Sequence, residues 1–355
     1  MAGIADRYFR LIAAEPSLIR MTTDHGAVDA VPFALGVFAA EGDGGFAGLV
    51  LGGRVRDVSA LGSVNELLAD WDVSFARLAE LAATPDDRSC PERWHDLAAL
   101  QVRCPVEPRQ ILQAGANYRK HVVDIVMAER RADLSTTGHN SDTPEDEVRA
   151  WAEDMMDERV RTGSPYVFNG LAGALTGPFD EIVLPSRGTK HDWELELALV
   201  IGKTARHLTR ENALEHVAGY TICNDLTTRS LVYRNDLKAI GTDWFAAKNA
   251  PTFLPTGPYI VPTSFVAEPR KLRITLKHNG ITRQDESVSD MLFDIPALLE
   301  YITAVTELRP GDLVLTGSPA GNGMHWGVFL EDGDLLECEI TGLGAQRNRC
   351  VRKEK

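Results

Sequence analysis

The chain has 355 residues, enough for two domains or for one large domain with a smaller piece attached. Its 37 Lys and Arg against 51 Asp and Glu leave a formal net charge of −14, a balance that repels phosphate backbones and anionic lipid and argues against nucleic-acid and membrane partners. With 44% hydrophobic and 25% charged residues, the composition is that of a globular protein, neither disordered nor collagen-like nor coiled-coil.

The first residues, MAGIADRYFRLIAAEPSL, carry early acids and no apolar run long enough for a signal sequence, which points to a cytoplasmic protein. Residues 33–58 read as short apolar strands broken by Gly-rich turns at 42–45 and 52–53, an antiparallel hairpin or meander. Gly42, Gly44 and Ala47 mimic a G-x-G-x-x-A dinucleotide fingerprint. The strand-like LVLGGRVRDV follows where that motif needs a helix, so nucleotide binding is not expected. A helix is expected from Asp72 to just before Pro85. The Pro- and charge-rich stretch 84–109 reads as a linker. It sets a small N-terminal α/β domain, 1–105, apart from 106–355. Cys90, Cys104, Cys223, Cys338 and Cys350 are odd in number and form no C-x-x-C pair, so they are expected as reduced structural thiols.

Residues 143–163 carry a helix signal: Thr143 as N-cap, Pro144 at the first helical position, Glu145, Asp146 and Glu147 in the first turn, Arg159 and Arg161 late, and Gly163 as stop. From 180 onward short strands (EIVLP, ELELALVIG, GYTICND, YIVP, LRITLKHNG, LVLTG, LLECEI) alternate with turns at 309–312 and 331–334. Helices are expected near 210–218 behind Thr209 and near 295–306 behind Asp294. The fold class is therefore α+β and β-rich, closer to a sandwich or rolled barrel than to a doubly wound sheet.

Within WELELALVI, strand geometry turns Glu194 and Glu196 to one face. Two like charges in so apolar a strand need either a cation or a solvated edge, and the pattern alone leaves both open. Asp225, ending TICND, is a third carboxylate or a strand-end cap. A carboxylate-only set suits a hard cation, Mg²⁺ first and Mn²⁺ or Ca²⁺ next. His121 and Asp124, at i and i+3 of a helix-like run, form either a general-base dyad or an ordinary surface pair. Lys248, alone among apolar residues, either stabilises an enolate or snorkels to solvent. No G-x-S-x-G elbow is present, which disfavours a serine hydrolase.

Taken in order, GANYRKHVVD, WELELALVIGKTAR, VAGYTICNDLTTR, LPTGPYIV, SVSDMLFDIPALLEYIT, LRPGDLVLTGSPAGNG and LEDGDLLECEI resemble the fumarylacetoacetate hydrolase (FAH) family over roughly 105–350. The resemblance implies a mixed β-roll catalytic domain, usually dimeric, with Mg²⁺ or Mn²⁺ (Ca²⁺ as a surrogate) on Glu194, Glu196 and Asp225. It makes His121 the catalytic histidine, Asp124 its paired acid and Lys248 the active-site lysine, and it assigns Tyr118, Arg229 and Ser318 to the substrate. Asn117 lies in the loop leading into the dyad. The chain departs from the family at Asp124, where Glu is usual, at Val232 for a Gln, and at Ser287-Val288-Ser289 for Asn-Thr-Ser. Residues 125–163 read as an inserted helical segment, a cap over the site or an addition to a homodimer interface. The implied activity is metal-dependent hydrolysis of a carbon–carbon bond in a 2,4-diketo acid or acylpyruvate. The same metal–enolate site also serves oxaloacetate decarboxylation and hydroxymuconate- or hydroxyhepta-dienedioate-type isomerisation or hydration.

Overall fold

The computed structural model of the chain describes residues 19–23, 26–42, 44–83, 94–131, 142–234, 236 and 241–353. The start of the expected linker and Cys90 lie outside the described residues. A hairpin of β1 (Ile19–Thr23) and β2 (Gly26–Ala30) comes first. The expected meander follows as β3 (Ala34–Ala39), β4 (Phe46–Leu51) and β5 (Arg54–Asp57). Gly42 and Gly52 sit at the turns with φ of +85° and +60°, which glycine adopts without steric cost. Two helices follow, α1 (Val64–Ala69) and α2 (Trp71–Ala83), the second matching the expected one. The first is opened by a capping box between Ser63 and Glu66, a signal present in Ser63-x-x-Glu66 but not used above. Strands β6 (Trp94–Asp96) and β7 (Gln101–Arg103) flank the meander to complete a five-stranded sheet.

The remaining chain builds two larger sheets. Strand β8 (Ile111–Gly115) leads through helices α3 (Arg119–Arg131) and α4 (Glu145–Thr162) to β9 (Tyr166–Gly170). The short strands β10 (Leu175–Thr176), β11 (Ile182–Val183) and β12 (His191–Asp192) precede β13 (Leu195–Ile201) and β14 (Val217–Asn224). After β15 (Thr227–Thr228) come α5 (Trp244–Lys248), β16 (Leu254–Pro255), β17 (Val261–Pro262) and the hairpin β18 (Arg273–His278) and β19 (Ile281–Ser287). Helix α6 (Ile295–Val305), β20 (Leu313–Leu315), the one-turn α7 (Gly323–Trp326), β21 (Leu335–Ile340) and β22 (Gly344–Val351) close the fold. A six-stranded sheet runs β17-β14-β13-β20-β8-β9 and a five-stranded one β11-β22-β21-β18-β19.

Strand β13 is buried at every position, because it has hydrophobic layers on both faces. Leu195, Leu197, Leu199 and Ile201 join a core with Ile274, Leu276, Leu336 and Cys338 of the five-stranded sheet. Ala198 and Val200 join a second core with Phe33, Leu35 and Leu49. The small N-terminal sheet therefore shares a core with the six-stranded sheet, and Leu35 and Ile260 exchange backbone hydrogen bonds of 2.9 and 2.7 Å across the junction. Truncating Leu199 to Ala is expected to cost about 2–5 kcal/mol of stability, measured by urea denaturation, because neither face has solvent to relax into.

Two expected helix details are corrected. The chain makes only a single turn at Ala213–His216 in place of a helix over 210–218, because Val217 already enters β14. In α4 the cap position falls to Pro144, whose side chain cannot cap; the carbonyl of Thr143 instead accepts from Arg130 Nε at 2.7 Å. Helix α6 starts as expected, with Asp294 Oδ1 accepting from Ala297 N at 3.1 Å. Burial pushes the Cys104 and Cys350 thiols up to about 12, and Cys104, Cys223, Cys338 and Cys350 are free, as expected of structural thiols. Among the described residues no helix is long and apolar enough to cross a membrane.

Candidate metal centre and active site

The strand pairing that builds the six-stranded sheet also assembles three carboxylates. In the β13–β14 register, Leu195 lies opposite Asn224 and Glu196 opposite Cys223. Asp225 N donates to Glu194 O at 2.8 Å, extending the ladder by one step. Glu194 and Glu196 share a face by strand alternation, and Asp225 meets them from the neighbouring strand. One oxygen of each lies within 4.8 Å of the others, and all three residues are buried. Burial and the nearby Asp225 push Glu196 well above the usual carboxylate range, and burial raises Asp225 to about 6. Burial would raise Glu194 as well, but Arg229, Lys248 and His121 outweigh it and hold that carboxyl far below its ordinary value.

Lys248, the last residue of α5, is buried and points into this set. Its Nζ donates to Glu194 Oε2 at 2.6 Å, Asp225 Oδ2 at 2.5 Å and Asp225 O at 3.1 Å. Burial alone would lower its pKa; Asp225 and Glu194 reverse that and keep it protonated. The snorkelling alternative is thereby removed. Arg229 donates from Nε to Asp192 Oδ2 at 2.7 Å and from a terminal nitrogen to Glu194 Oε1 at 2.5 Å. The structure thus places it behind the carboxylates, orienting Glu194.

The donor set fits a hard divalent cation. All its ligand atoms are carboxylate oxygens, and Asp225 Oδ1 is buried with no hydrogen-bond partner among the described residues. When all are ionised, Asp192, Glu194, Glu196 and Asp225 oppose only Arg229 and Lys248 among the described residues, an excess of negative charge that one divalent ion would cancel.

His121, on the first turn of α3, is buried beside this set, with Nε2 3.6 Å from Glu194 Oε1 and Nδ1 3.4 Å from Asn322 Nδ2. Burial lowers its pKa to about 4 and keeps the ring neutral. The expected His121–Asp124 dyad gives way to two separate pairs, since Asp124 Oδ2 lies 3.1 Å from His325 Nδ1 on α7. The i, i+3 spacing does put both residues on α3, but α7 packs beside it and supplies a different partner to each. Asn322 links the two pairs: its Oδ1 accepts from His325 N at 3.1 Å while its amide nitrogen reaches His121.

The residues expected at the substrate sit at different depths. Tyr118 is fully buried in the main core, with its hydroxyl lacking a hydrogen-bond partner among the described residues. Ser318 Oγ accepts from Gln284 Nε2 at 3.0 Å, and Gln284 Oε1 accepts from Leu195 N at 3.1 Å. Asn117 clamps the approach to α3, donating to Phe293 O and Thr316 O at 3.0 and 2.8 Å and accepting from Phe293 N at 3.0 Å. Val232 is buried, and Ser287 Oγ accepts from Ser289 N at 3.2 Å in the turn that follows β19. Asp192, Gln284 and Asn322 were missed from sequence. Asp192 is fully buried and takes Gly323 N at 2.5 Å and Met324 N at 3.2 Å besides Arg229.

Helix α4 packs on α3 through Val148, Ala152, Val123, Val126 and Met127. Arg159 bonds Ala116 O, and its guanidinium lies 5.4 Å from the Phe293 ring. Helix α4 therefore braces the helix that carries His121.

Comparison with known proteins places these features in context. The model of a family described as fumarylacetoacetate (FAA) hydrolase C-terminal matches residues 110–351. The chain is 38% identical over 189 residues to the mitochondrial oxaloacetate tautomerase FAHD2B of Homo sapiens, covering 53% of this chain and 59% of that protein. It thus spans less than two-thirds of that relative's length. Among solved structures it resembles 2-hydroxyhepta-2,4-diene-1,7-dioate isomerase from Mycobacterium marinum, with TM-score 0.63 and 28% identity over 91% of this chain and 100% of that one. It also resembles maleylpyruvate hydrolase from Sphingobium sp. SYK-6 in complex with manganese(II) and pyruvate, with TM-score 0.64 and 25% identity over 90% of this chain and 100% of that one.

Proposed function

The chain belongs to the fumarylacetoacetate hydrolase family, and from that premise we propose that it is a Mg²⁺- or Mn²⁺-dependent enzyme that hydrolyses a carbon–carbon bond of a 2,4-dioxo acid of the acylpyruvate class. The observation that carries the reading is a neutral, buried imidazole, His121, set 3.6 Å from Glu194 beside the three-carboxylate cluster. Glu194, Glu196 and Asp225 would hold the ion, which when bound supplies a Lewis acid for the carboxylate and 2-oxo oxygens of the substrate. His121 takes a proton from water as the hydroxyl adds to carbon 4. The bond between carbons 3 and 4 then breaks, leaving a carboxylic acid and the enolate of a 2-oxo acid. Lys248 offsets the developing negative charge, and the proton returns to carbon 3.

A second reading, keto–enol tautomerisation or double-bond isomerisation of a 2-oxo acid, is favoured by one contact. In the tautomer that accepts the Asn322 amide on Nδ1, the proton of His121 sits on Nε2, whereas the hydrolytic step needs the tautomer with Nε2 free. A histidine so protonated toward the cluster is placed to deliver a proton to an enolate, a step that needs no water. The relatives divide in the same way, between an oxaloacetate tautomerase, a dienedioate isomerase and a maleylpyruvate hydrolase.

The two readings separate on a panel of acetylpyruvate, fumarylpyruvate and oxaloacetate assayed with saturating Mn²⁺ in ¹⁸O-labelled water. Hydrolysis puts the label in the released carboxylic acid, and His121→Ala is expected to lower its rate by roughly 10²–10⁴-fold. Hydrolysis undiminished in that variant overturns the role given to His121. Accelerated ketonisation of oxaloacetate with no cleavage of either acylpyruvate selects the second reading.

A further inference from the structure

A cavity of about 590 Å³ opens between α3, the inserted α4, β19 and the segment that leads into α7, a volume in the range of small-molecule sites. It adjoins the site described above. Gly321, on its wall, directly precedes Asn322, which reaches His121, and Asp124 on the same wall is one helical turn from His121.

The charges lining it are unevenly matched. Lys120 is paired with Glu286 at 2.7 Å, Asp285 with Arg273 at 2.5 Å and Asp124 with His325 at 3.1 Å, while Arg119 is paired with Asp157. Two guanidiniums on the wall, Arg149 from the inserted helix and Arg283 from β19, have no ion-pair partner among the described residues. Glu153 is the single carboxylate on the wall left to oppose them.

Arg283 is held in place by its neighbours. Its guanidinium stacks 5.3 Å from the Trp326 ring, and the Trp326 indole N–H is anchored on Arg283 O and Gly321 O at 3.2 and 3.1 Å. The Nε of Arg283 is buried with no hydrogen-bond acceptor among the described residues. A planar guanidinium with an unused buried donor, fixed by stacking, matches the two-oxygen geometry of a carboxylate.

We infer that Arg283, seconded by Arg149, binds the distal carboxylate of an elongated dicarboxylic substrate whose 2-oxo acid end lies at Glu194, Glu196 and Asp225. The inference rests on the reading of that cluster as a 2-oxo acid site and narrows its substrates to 2,4-dioxo diacids. A monoacid such as acetylpyruvate leaves Arg283 without an acceptor. Part of the selectivity then resides in the insertion, because Arg149 enters the cavity from α4.

Two measurements test this independently. With Mn²⁺ present, the ratio of kcat/KM for fumarylpyruvate over its analogue with methyl in place of the distal carboxylate is expected to fall at least roughly tenfold in Arg283→Gln, through KM. In Arg283→Lys, which keeps the charge but not the fork, the fall should be smaller. Without metal or turnover, fumarate is expected to perturb tryptophan fluorescence saturably in the wild type, to do so at least roughly tenfold more weakly in Arg283→Gln, and to lose the signal in Trp326→Phe. Equal fumarate affinity in wild type and Arg283→Gln, or the uncharged crotonamide binding as tightly as fumarate, overturns the inference. Fumarate binding that depends on Arg283, in a protein turning over no dioxo acid, would leave the subsite standing and refute the proposed reaction instead.

Discussion

Glu196→Gln is expected to abolish divalent-cation binding while leaving the metal-free protein at least as stable as the wild type; Glu194→Ala should abolish binding and also cost about 3–5 kcal/mol. The two carboxylates differ in what else they hold. Glu194 bridges Arg229 at 2.5 Å and Lys248 at 2.6 Å, so its removal leaves two buried cations short of a counter-charge. Glu196 is pushed toward its neutral form by burial and by Asp225, and its one hydrogen bond to Gly317 N, 2.8 Å, survives as a bond to the glutamine carbonyl. Removing its charge relieves repulsion in the absence of an ion and removes a ligand in its presence. Isothermal titration with Mn²⁺ reads the binding, and urea denaturation in EDTA reads the stability. Equal destabilisation by both substitutions would contradict the division of roles.

Gly321→Ala should be nearly as damaging by a steric route. Gly321 has φ of +96°, and a Cβ there would run into the carbonyl oxygen of Arg283. The same peptide accepts the indole N–H groups of Trp193 and Trp326, both at 3.1 Å. The loop has no freedom to move without dropping both tryptophans and the adjoining Asn322. A loss on the order of 3 kcal/mol is expected from the combined strain and clash, along with a roughly 100-fold drop in kcat/KM from displaced groups at His121. Thermal unfolding and steady-state kinetics check the two separately. An alanine variant of wild-type stability would show that the segment is pliable.

The parts of this site that were legible in the sequence are those set by local geometry. Alternation along β13 and the extended residue before it places Glu194 and Glu196 together regardless of the rest of the chain. Asp225 lies opposite because β14 pairs directly with β13. Partner choice between distant segments was not legible. The i, i+3 rule offered Asp124 to His121, yet α7, some two hundred residues on, presents Asn322 to the histidine and His325 to the aspartate. Asp192, Gln284 and Asn322 match no ligand or dyad spacing, Asn322 although it lies in one of the segments that carry the resemblance, and only tertiary packing gives them buried partners. Arg229 shows the same limit: the resemblance marks the residue, but only the structure shows that its guanidinium is spent on Asp192 and Glu194. At the level of the fold, the strands read well from their apolar runs. The helix expected over 210–218 failed because the β-prone Val217 to Ile222 stretch is claimed by a sheet buried on both faces.

The central claim is that Glu194, Glu196 and Asp225 form a divalent-cation site. The most direct measurement is a crystal structure of the wild-type protein grown with Mn²⁺, with data collected to locate the metal by its anomalous signal. One peak per chain is expected, bonded to carboxylate oxygens of all three residues, with Lys248 withdrawn from at least one of the oxygens it now contacts. A structure at saturating Mn²⁺ with no peak there, and with Lys248 still bridging Glu194 and Asp225, would contradict it.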